Sequence, residues 1–194
     1  NLKQPDSALW AFEQVVGLKR KTNRKYWINA QIKRLQILSI RDTIDPIESY
    51  NKLAKGYENY LFDHSINRAI GIHYFLQQQD SLGEHYLQQS LKSENIDLPT
   101  KKANYRDLAN FNFARGKYVL TGSYLDSLLK TLPDETTVKR RTQRERDNLD
   151  GVIKYEGIIE TTDSLLYLTS LNKSAQMEYF QNHIKEKETQ ALKE

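Results

Sequence analysis

The sequence predicts an all-α protein, in which a short solenoid of antiparallel helix pairs is followed by a long basic helix and two shorter helices. Its composition favours helix, because the 194 residues include only 8 Gly and 4 Pro, while 38% are apolar and 28% are charged. Two stretches, residues 63–97 and 100–133, each contain two amphipathic patterns joined by a turn signal. One such pair cannot bury its apolar face by itself, so neighbouring pairs are expected.

The clearest helix pair is predicted at residues 100–133. An aromatic residue, a leucine and a small residue open its first helix, and they are Tyr105, Leu108 and Ala109. Gly116 marks the turn, and Pro133 is expected to end the second helix because its ring clashes with the preceding turn. This order resembles the tetratricopeptide repeat (TPR), in which small residues let two helices approach closely and large residues fill the space between pairs.

A second copy of the pattern lies 38 residues earlier, at residues 63–97. The positions in its first helix that match Tyr105, Leu108, Ala109 and Asn112 are Asn67, Ile70, Gly71 and Tyr74. Those in its second helix that match Thr121, Leu125 and Leu128 are Gly83, Leu87 and Ser90. The longer connection at residues 95–99 is predicted to be a loop, because it contains Asn, Asp and Pro.

The chain before residue 63 keeps the hairpin plan but matches the TPR positions poorly. Residues 6–18 predict the second helix of a pair whose first helix is absent, because Ala8 and Phe12 have its spacing. Apolar side chains there, which include Leu9 and Trp10, are therefore expected to be partly uncovered.

Two further helices are predicted before the two clearest repeats. Asn23 is placed to cap a helix over residues 26–39. Pro46 is placed at the first position of the next helix, with Asp45 as its cap. The helical repeats are assigned to residues 1–133.

Residues 134–194 are assigned to a C-terminal helical extension. One long helix is predicted over residues 138–160, although Gly151 and Gly157 each weaken it by roughly 1 kcal/mol relative to Ala. Thr162 or Asp163 is expected to cap a short helix, and Asn172 the last one.

The helix A faces of the two clear repeats are the predicted partner-binding surface. In the TPR family these faces line a concave groove, and the residues that this resemblance assigns to the groove are Arg68, Ile72, Phe75 and Leu76 in one repeat and Arg106, Asn110, Phe113 and Ala114 in the next. Their spacings of three and four put each set on one side of its helix. Arginine can pair with a carboxylate, and an exposed Phe offers apolar area to a partner. The alternative for Phe75 and Phe113 is packing between repeats.

Basic residues cluster at two places, residues 19–25 and 139–146. The members of the second cluster are Lys139, Arg140, Arg141, Arg144 and Arg146. A solvated helix face, a protein-contact surface and a site for nucleic acid or anionic lipid remain open readings. Glu145 and Asp147 interrupt the run and no aromatic residues are interleaved, which argues against nucleic acid.

The sequence offers little chemistry for catalysis. It has no cysteine, which excludes disulfides and thiolate metal sites, and no apolar run is long enough to span a bilayer. The histidines, which are His64, His73, His85 and His183, show no metal-ligand spacing. No nucleophile motif, phosphate loop or dinucleotide fingerprint occurs. The prediction is a non-enzymatic protein without a cofactor, a metal or a small-molecule substrate.

The C-terminal half resembles a specific family, the TPR-containing SprE/PorW lipoproteins of type IX protein secretion and gliding motility in Bacteroidota. The resemblance covers roughly residues 105–184, and the residues that carry it are Arg146, Asn148, Leu149, Tyr155, Ile158, Ile159, Asp163, Ser164, Leu165, Leu168 and Leu171. It implies an adaptor on the periplasmic side of the outer membrane, which links the secretion translocon to motor and ring components. The chain begins at Asn1 and its only methionine is Met177, so a fragment whose lipid anchor lies elsewhere is expected.

Two functions follow as hypotheses. The first is a scaffold that grips a helix or an extended segment of another protein in a preformed groove. The alternative is a helical-repeat RNA-binding protein that uses the two basic clusters, and its binding should weaken steeply with salt.

Overall fold

The structure, a computed structural model, describes residues 5–41 and 44–191, and all regular secondary structure in these residues is helical. The predicted all-α class is therefore confirmed. The helices are α1 Pro5–Gly17, α2 Arg24–Ile40, α3 Ile47–Lys55, α4 Asp63–Leu76, α5 Asp80–Lys92, α6 Leu98–Ala114, α7 Tyr118–Leu129, α8 Thr137–Asp147, α9 Asp150–Ser170 and α10 Lys173–Ala191. Short 3₁₀ segments lie at Lys19–Lys21 and Tyr57–Phe62.

Side-chain caps set several helix starts where the sequence predicts them. The Asn23 side chain accepts a hydrogen bond from the Lys25 N–H at 2.9 Å, and Asn172 accepts one from Ala175 at the same distance. The start of α3 differs from the prediction by one residue, because Pro46 is the N-cap and Ile47 the first helical residue; Asp45, which precedes them, accepts a hydrogen bond from the Ile47 N–H at 3.0 Å. These bonds satisfy backbone donors that have no partner inside the first helical turn.

The chain forms two compact units, Asn1–Gln143 and Arg144–Glu194. In the first unit α4 pairs with α5 and α6 pairs with α7, while α1 packs on α2. Helix α3 packs mainly against α4. The largest buried apolar cluster joins α2, α3 and α4 and consists of Ile28, Ile32, Leu35, Tyr50, Ile66, Ala69 and Ile70.

One spacing recurs through the first unit. Ile28, Ile66, Asn104 and Thr142 follow one another at intervals of 38 residues, and all four are 0% exposed. They lie on α2, α4, α6 and α8 in turn. These helices therefore occupy equivalent places, so the repeat seen in the sequence at residues 63–133 extends in both directions.

The predicted helix boundaries of the repeat at residues 100–133 need correction. Helix α6 begins at Leu98, inside the predicted loop, because the Asp97 side chain accepts a hydrogen bond from the Thr100 N–H at 2.8 Å. Helix α7 ends at Leu129, before Pro133 can act on it. The Thr131 N–H bonds to the Leu128 carbonyl at 2.9 Å, which closes the helix with a tighter turn.

The prediction of one helix over residues 138–160 was wrong. Helix α8 ends at Asp147, and the Leu149 N–H bonds to the Arg146 carbonyl at 3.0 Å in a tighter turn before α9 begins. Helix α9 then runs without a break to Ser170, past the expected caps at Thr162 and Asp163. The Thr162 hydroxyl instead donates to the Ile158 carbonyl at 2.8 Å, so it bonds back into its own helix.

Apolar exposure follows the expectation for α1. Trp10 is 64% exposed, and Leu9 and Phe12 are half-buried. In the described part of the chain, no helix is both long enough and apolar enough to cross a membrane.

The turns inside the two central hairpins share a backbone conformation. Gly116 has φ 71° and Gln78 has φ 59°, and the two positions are 38 residues apart. Glycine adopts this left-handed conformation without cost, whereas a residue with a side chain pays about 1 kcal/mol. The turn geometry thus recurs even though only one of the two turns has glycine.

Gly116→Ala is expected to lower the free energy of unfolding by about 1 kcal/mol, because it puts a side chain on a backbone with positive φ. A Cβ there would meet only Tyr118 Cε2, at 3.9 Å, so the loss would come from backbone conformation and not from a clash. Urea denaturation measures it. The control is Gln78→Gly, which relieves the same conformation and should not destabilise. An unchanged midpoint for Gly116→Ala would contradict the turn assignment.

Candidate functional site

A cleft of about 480 Å³ lies between α2 and α4. Its lining includes Pro46 and Tyr50, which are buried next to the two helices. Its walls include Lys33, Gln36 and Ile40 from α2, and Arg68, Ile72 and Leu76 from α4. The volume falls within the range typical of binding pockets.

The predicted groove residues separate into two groups. Arg68 and Ile72 line this cleft. The residues predicted on the next repeat, which are Arg106, Asn110, Phe113 and Ala114, are not among those that line it. The cleft therefore opens one repeat earlier than the strongest part of the sequence pattern.

Arg68 joins two neighbouring hairpins through its guanidinium group. Its Nη1 donates to Asn104 Oδ1 at 2.7 Å, and its Nη2 donates to Asp107 Oδ2 at 2.6 Å, both on α6. The Asn104 side chain in turn donates to Ser90 Oγ at 2.7 Å, and Ser90 Oγ donates to the His64 carbonyl at 2.7 Å. Asn104 and Ser90 are 0% exposed, so the network closes the buried junction of α4, α5 and α6.

Arg106 repeats this arrangement one unit later. It lies 38 residues after Arg68, and its Nη2 donates to Thr142 Oγ1 on α8 at 2.6 Å. Thr142 is the counterpart of Asn104 in the 38-residue spacing. The recurring arginine predicted to contact a partner therefore also links successive hairpins.

The two phenylalanines of the predicted groove have different surroundings. Phe75 packs between hairpins: its ring centroid is 4.5 Å from that of Phe111, and a Cβ on Gly83 would come within 2.6 Å of its ring. Phe113 is 54% exposed. Its ring makes an edge contact with Tyr118 at a centroid distance of 5.8 Å. Phe75 thus packs between repeats, which is the alternative that the sequence offers for it.

A second cleft of about 540 Å³ shares Ser39 and His73 with the first. Ser39 Oγ lies 3.3 Å from His73 Nδ1, and His73 Nε2 lies 3.7 Å from Asp45 Oδ1. The second distance exceeds that of a hydrogen bond, and Asp45 already accepts one from the Ile47 N–H. The sequence gives no sign of this group, because His73 lies far along the chain from Ser39 and Asp45.

His64 is buried beside two carboxylates. Burial, the largest effect, lowers the pKa of His64 below its ordinary value of 6.5, although Asp97 and Asp63 favour the protonated ring. Its Nδ1 atom has no hydrogen-bond partner among the described residues. The folded chain therefore favours the neutral imidazole.

The two predicted basic clusters are partly engaged within the chain. Arg24 donates to Asn59 at 2.7 Å, pairs with Glu58 at 3.2 Å and lies 4.2 Å from the Trp27 ring centroid. In the second cluster Lys139 pairs with Asp134, and Arg146 pairs with Asp150. Three further members, Arg140, Arg141 and Arg144, are exposed. Several of these charges are therefore compensated by acidic neighbours.

Within the described residues, no group of three His, Asp or Glu side chains is arranged to hold a metal ion. Comparison with protein-family models and with curated proteins gives no match for this chain. What can be inferred about the site therefore depends on its own geometry.

Arg68→Ala is expected to lower the free energy of unfolding by about 2 kcal/mol, since it removes charge-assisted bonds to Asn104 and Asp107 at a buried junction. Urea denaturation at constant pH measures the change. The matched control is Arg41→Ala, because Arg41 pairs with Asp6, which is 87% exposed, and such pairs contribute under about 1 kcal/mol. Equal losses for the two variants would contradict a special role of the Arg68 network.

Acidification should destabilise the chain through His64. Its pKa is lowered in the folded state, so the unfolded state binds more protons, and this contribution is complete above about pH 6.5 and is lost as the pH falls below it. The melting temperature should therefore fall between pH 7.5 and 5.5, and His64→Gln should reduce that fall.

The control is His85→Gln, because His85 is exposed. This variant should keep the pH dependence of the unaltered chain. A His64→Gln chain with an undiminished fall would show that the dependence comes from other groups.

Proposed function

We propose that the chain is a non-enzymatic scaffold that binds another protein in the cleft between α2 and α4. The observation that carries the proposal is the cleft itself, a depression of about 480 Å³ lined by Arg68 and Ile72. Both were singled out from the sequence as groove residues. Leu76 and Ile40, which also line the cleft, are 68% and 72% exposed, so apolar side chains are available to a partner.

The cleft is held by rigid elements, which favours binding at low ordering cost. Helices α2 and α4 share the buried cluster that contains Ile28 and Ile66, and Arg68 is fastened to α6. A preformed groove loses little conformational entropy when a partner docks. This supports a scaffold in which a segment of another protein becomes ordered on an existing surface.

The biological setting is a further part of the proposal. We place the scaffold on the periplasmic side of the outer membrane, where it would link translocon and motor components of type IX secretion and gliding motility. The support is the resemblance of residues 105–184 to the SprE/PorW lipoproteins.

Site-specific photo-crosslinking tests the scaffold. A benzoylphenylalanine at Leu76 is expected to form a protein adduct in envelope extract at both low and high salt, because an apolar contact weakens little with salt. The same probe at Leu120, an exposed apolar residue on α7, is the matched control and should not form that adduct. Mass spectrometry of the adduct identifies the partner.

The outcomes separate the parts of the proposal. An adduct with a secretion or motility component of the envelope supports both the scaffold and its setting. An adduct with an unrelated protein keeps the scaffold and removes the setting. Identical adducts from both positions, or none from Leu76, would reject the cleft as the docking site. Capture of RNA from the extract would favour the alternative function if the RNA dissociates at high salt and if its binding requires Arg140 and Arg141.

A further inference from the structure

The charge of the cleft between α2 and α4 is one-sided. Its lining has two cationic side chains, Lys33 and Arg68, and no carboxylate among the described residues that line it. This stands out in a chain with 25 Asp and Glu residues against 29 Lys and Arg. The cleft therefore favours a ligand that carries negative charge.

The two cations differ in their availability. Arg68 already donates to Asn104 and Asp107 on α6, so the Asp107 carboxylate neutralises part of its charge. Lys33 is exposed, and its Nζ donates to Gln36 Oε1 at 3.2 Å. An ammonium group has three donors, so Lys33 can donate a hydrogen bond to a partner's carboxylate while keeping this bond. Lys33 is therefore the residue that would bind the negatively charged group of a ligand.

Apolar and amide groups surround this charge. Ile40 and Leu76 are largely exposed at the cleft, and Ile72, which is half-buried, also lines it. The amides of Asn29 and Gln36 can donate to and accept from an extended backbone. An acidic group next to a large apolar side chain on a peptide would match both features.

Acidic groups near the cleft limit the attraction but do not remove it. Asp107 is paired with Arg68, and Asp45 lies on the second cleft, 3.7 Å from His73. Neither is among the described residues that line the first cleft. The lining itself therefore keeps two cationic side chains, Lys33 and Arg68, without a carboxylate among the described residues.

We propose that the α2–α4 cleft selects acidic peptide segments, with a side-chain or terminal carboxylate at Lys33 and an adjacent large apolar residue against Ile40 and Leu76. This inference rests on the proposed scaffold function and names the chemistry of its partner. Lys33 determines the preference for charge, and the apolar wall determines the position of the segment.

A phage-displayed library of random 12-residue peptides, panned on the complete 194-residue chain, tests the proposal. Enriched peptides are expected to combine Asp or Glu with Leu, Ile or Phe. A synthetic copy of one enriched peptide is then compared with its Asn/Gln analogue by fluorescence anisotropy. The neutral analogue should bind about tenfold more weakly.

Two charge reversals provide a matched pair of variants. Lys33→Glu should weaken the acidic peptide about tenfold or more, because it places a like charge in the cleft. Lys130→Glu makes the same change at an exposed residue that directly follows α7, away from the lining, and should leave affinity within about twofold. Lys33 is exposed, so neither variant removes a core contact.

Four results would overturn the inference. Neutral or basic peptides that lose binding with Leu76→Glu but not with Lys33→Glu would leave the scaffold intact and reject the acidic preference. Peptides insensitive to both substitutions, or no enrichment, would reject the cleft and the proposed function together. A 20-nucleotide RNA that displaces the peptide and depends on Lys33 would assign the cleft to phosphate groups.

Discussion

The junction between hairpins depends on one buried set of hydrogen bonds that starts at Arg68. Its guanidinium links α4 to α6 by donating to Asn104 and Asp107. Asn104 then donates to Ser90 Oγ, and Ser90 Oγ donates to the His64 carbonyl. Buried polar groups are costly unless they are paired, so a shift of one hairpin against the next would leave several of them unsatisfied. The network therefore determines the register of the array as well as contributing to its stability.

The same register explains why the recurring buried position tolerates different chemistry. Ile28 and Ile66 fill it with apolar side chains, whereas Asn104 and Thr142 fill it with polar ones. Each polar residue accepts from an arginine one hairpin earlier, Arg68 or Arg106. Burial at this position is thus maintained by packing at one end of the array and by charge-assisted hydrogen bonding at the other.

The cleft appears where the array departs from a regular pairing. Helix α3 packs mainly on α4, and its Tyr50 side chain is buried in the apolar cluster that also contains residues of α2 and α4. Burial raises the pKa of Tyr50, which keeps its hydroxyl protonated next to the cleft. Helices α2 and α4 therefore leave a depression whose walls are held by the core, and Lys33 and Leu76 lie on its surface.

From the sequence, the helical class, the central hairpins and the caps at Asn23 and Asn172 could be predicted, because apolar periodicity and capping act over a few residues. Local signals also misled: Pro133 and Thr162 looked like helix boundaries, but hydrogen bonds to neighbouring carbonyls placed the boundaries elsewhere. Arg68 and Ile72 were predicted as groove residues from the resemblance to the TPR family, and both line the cleft. Their partner across the cleft, Lys33 on α2, depended on tertiary packing, because no local pattern specifies which distant helix lies alongside.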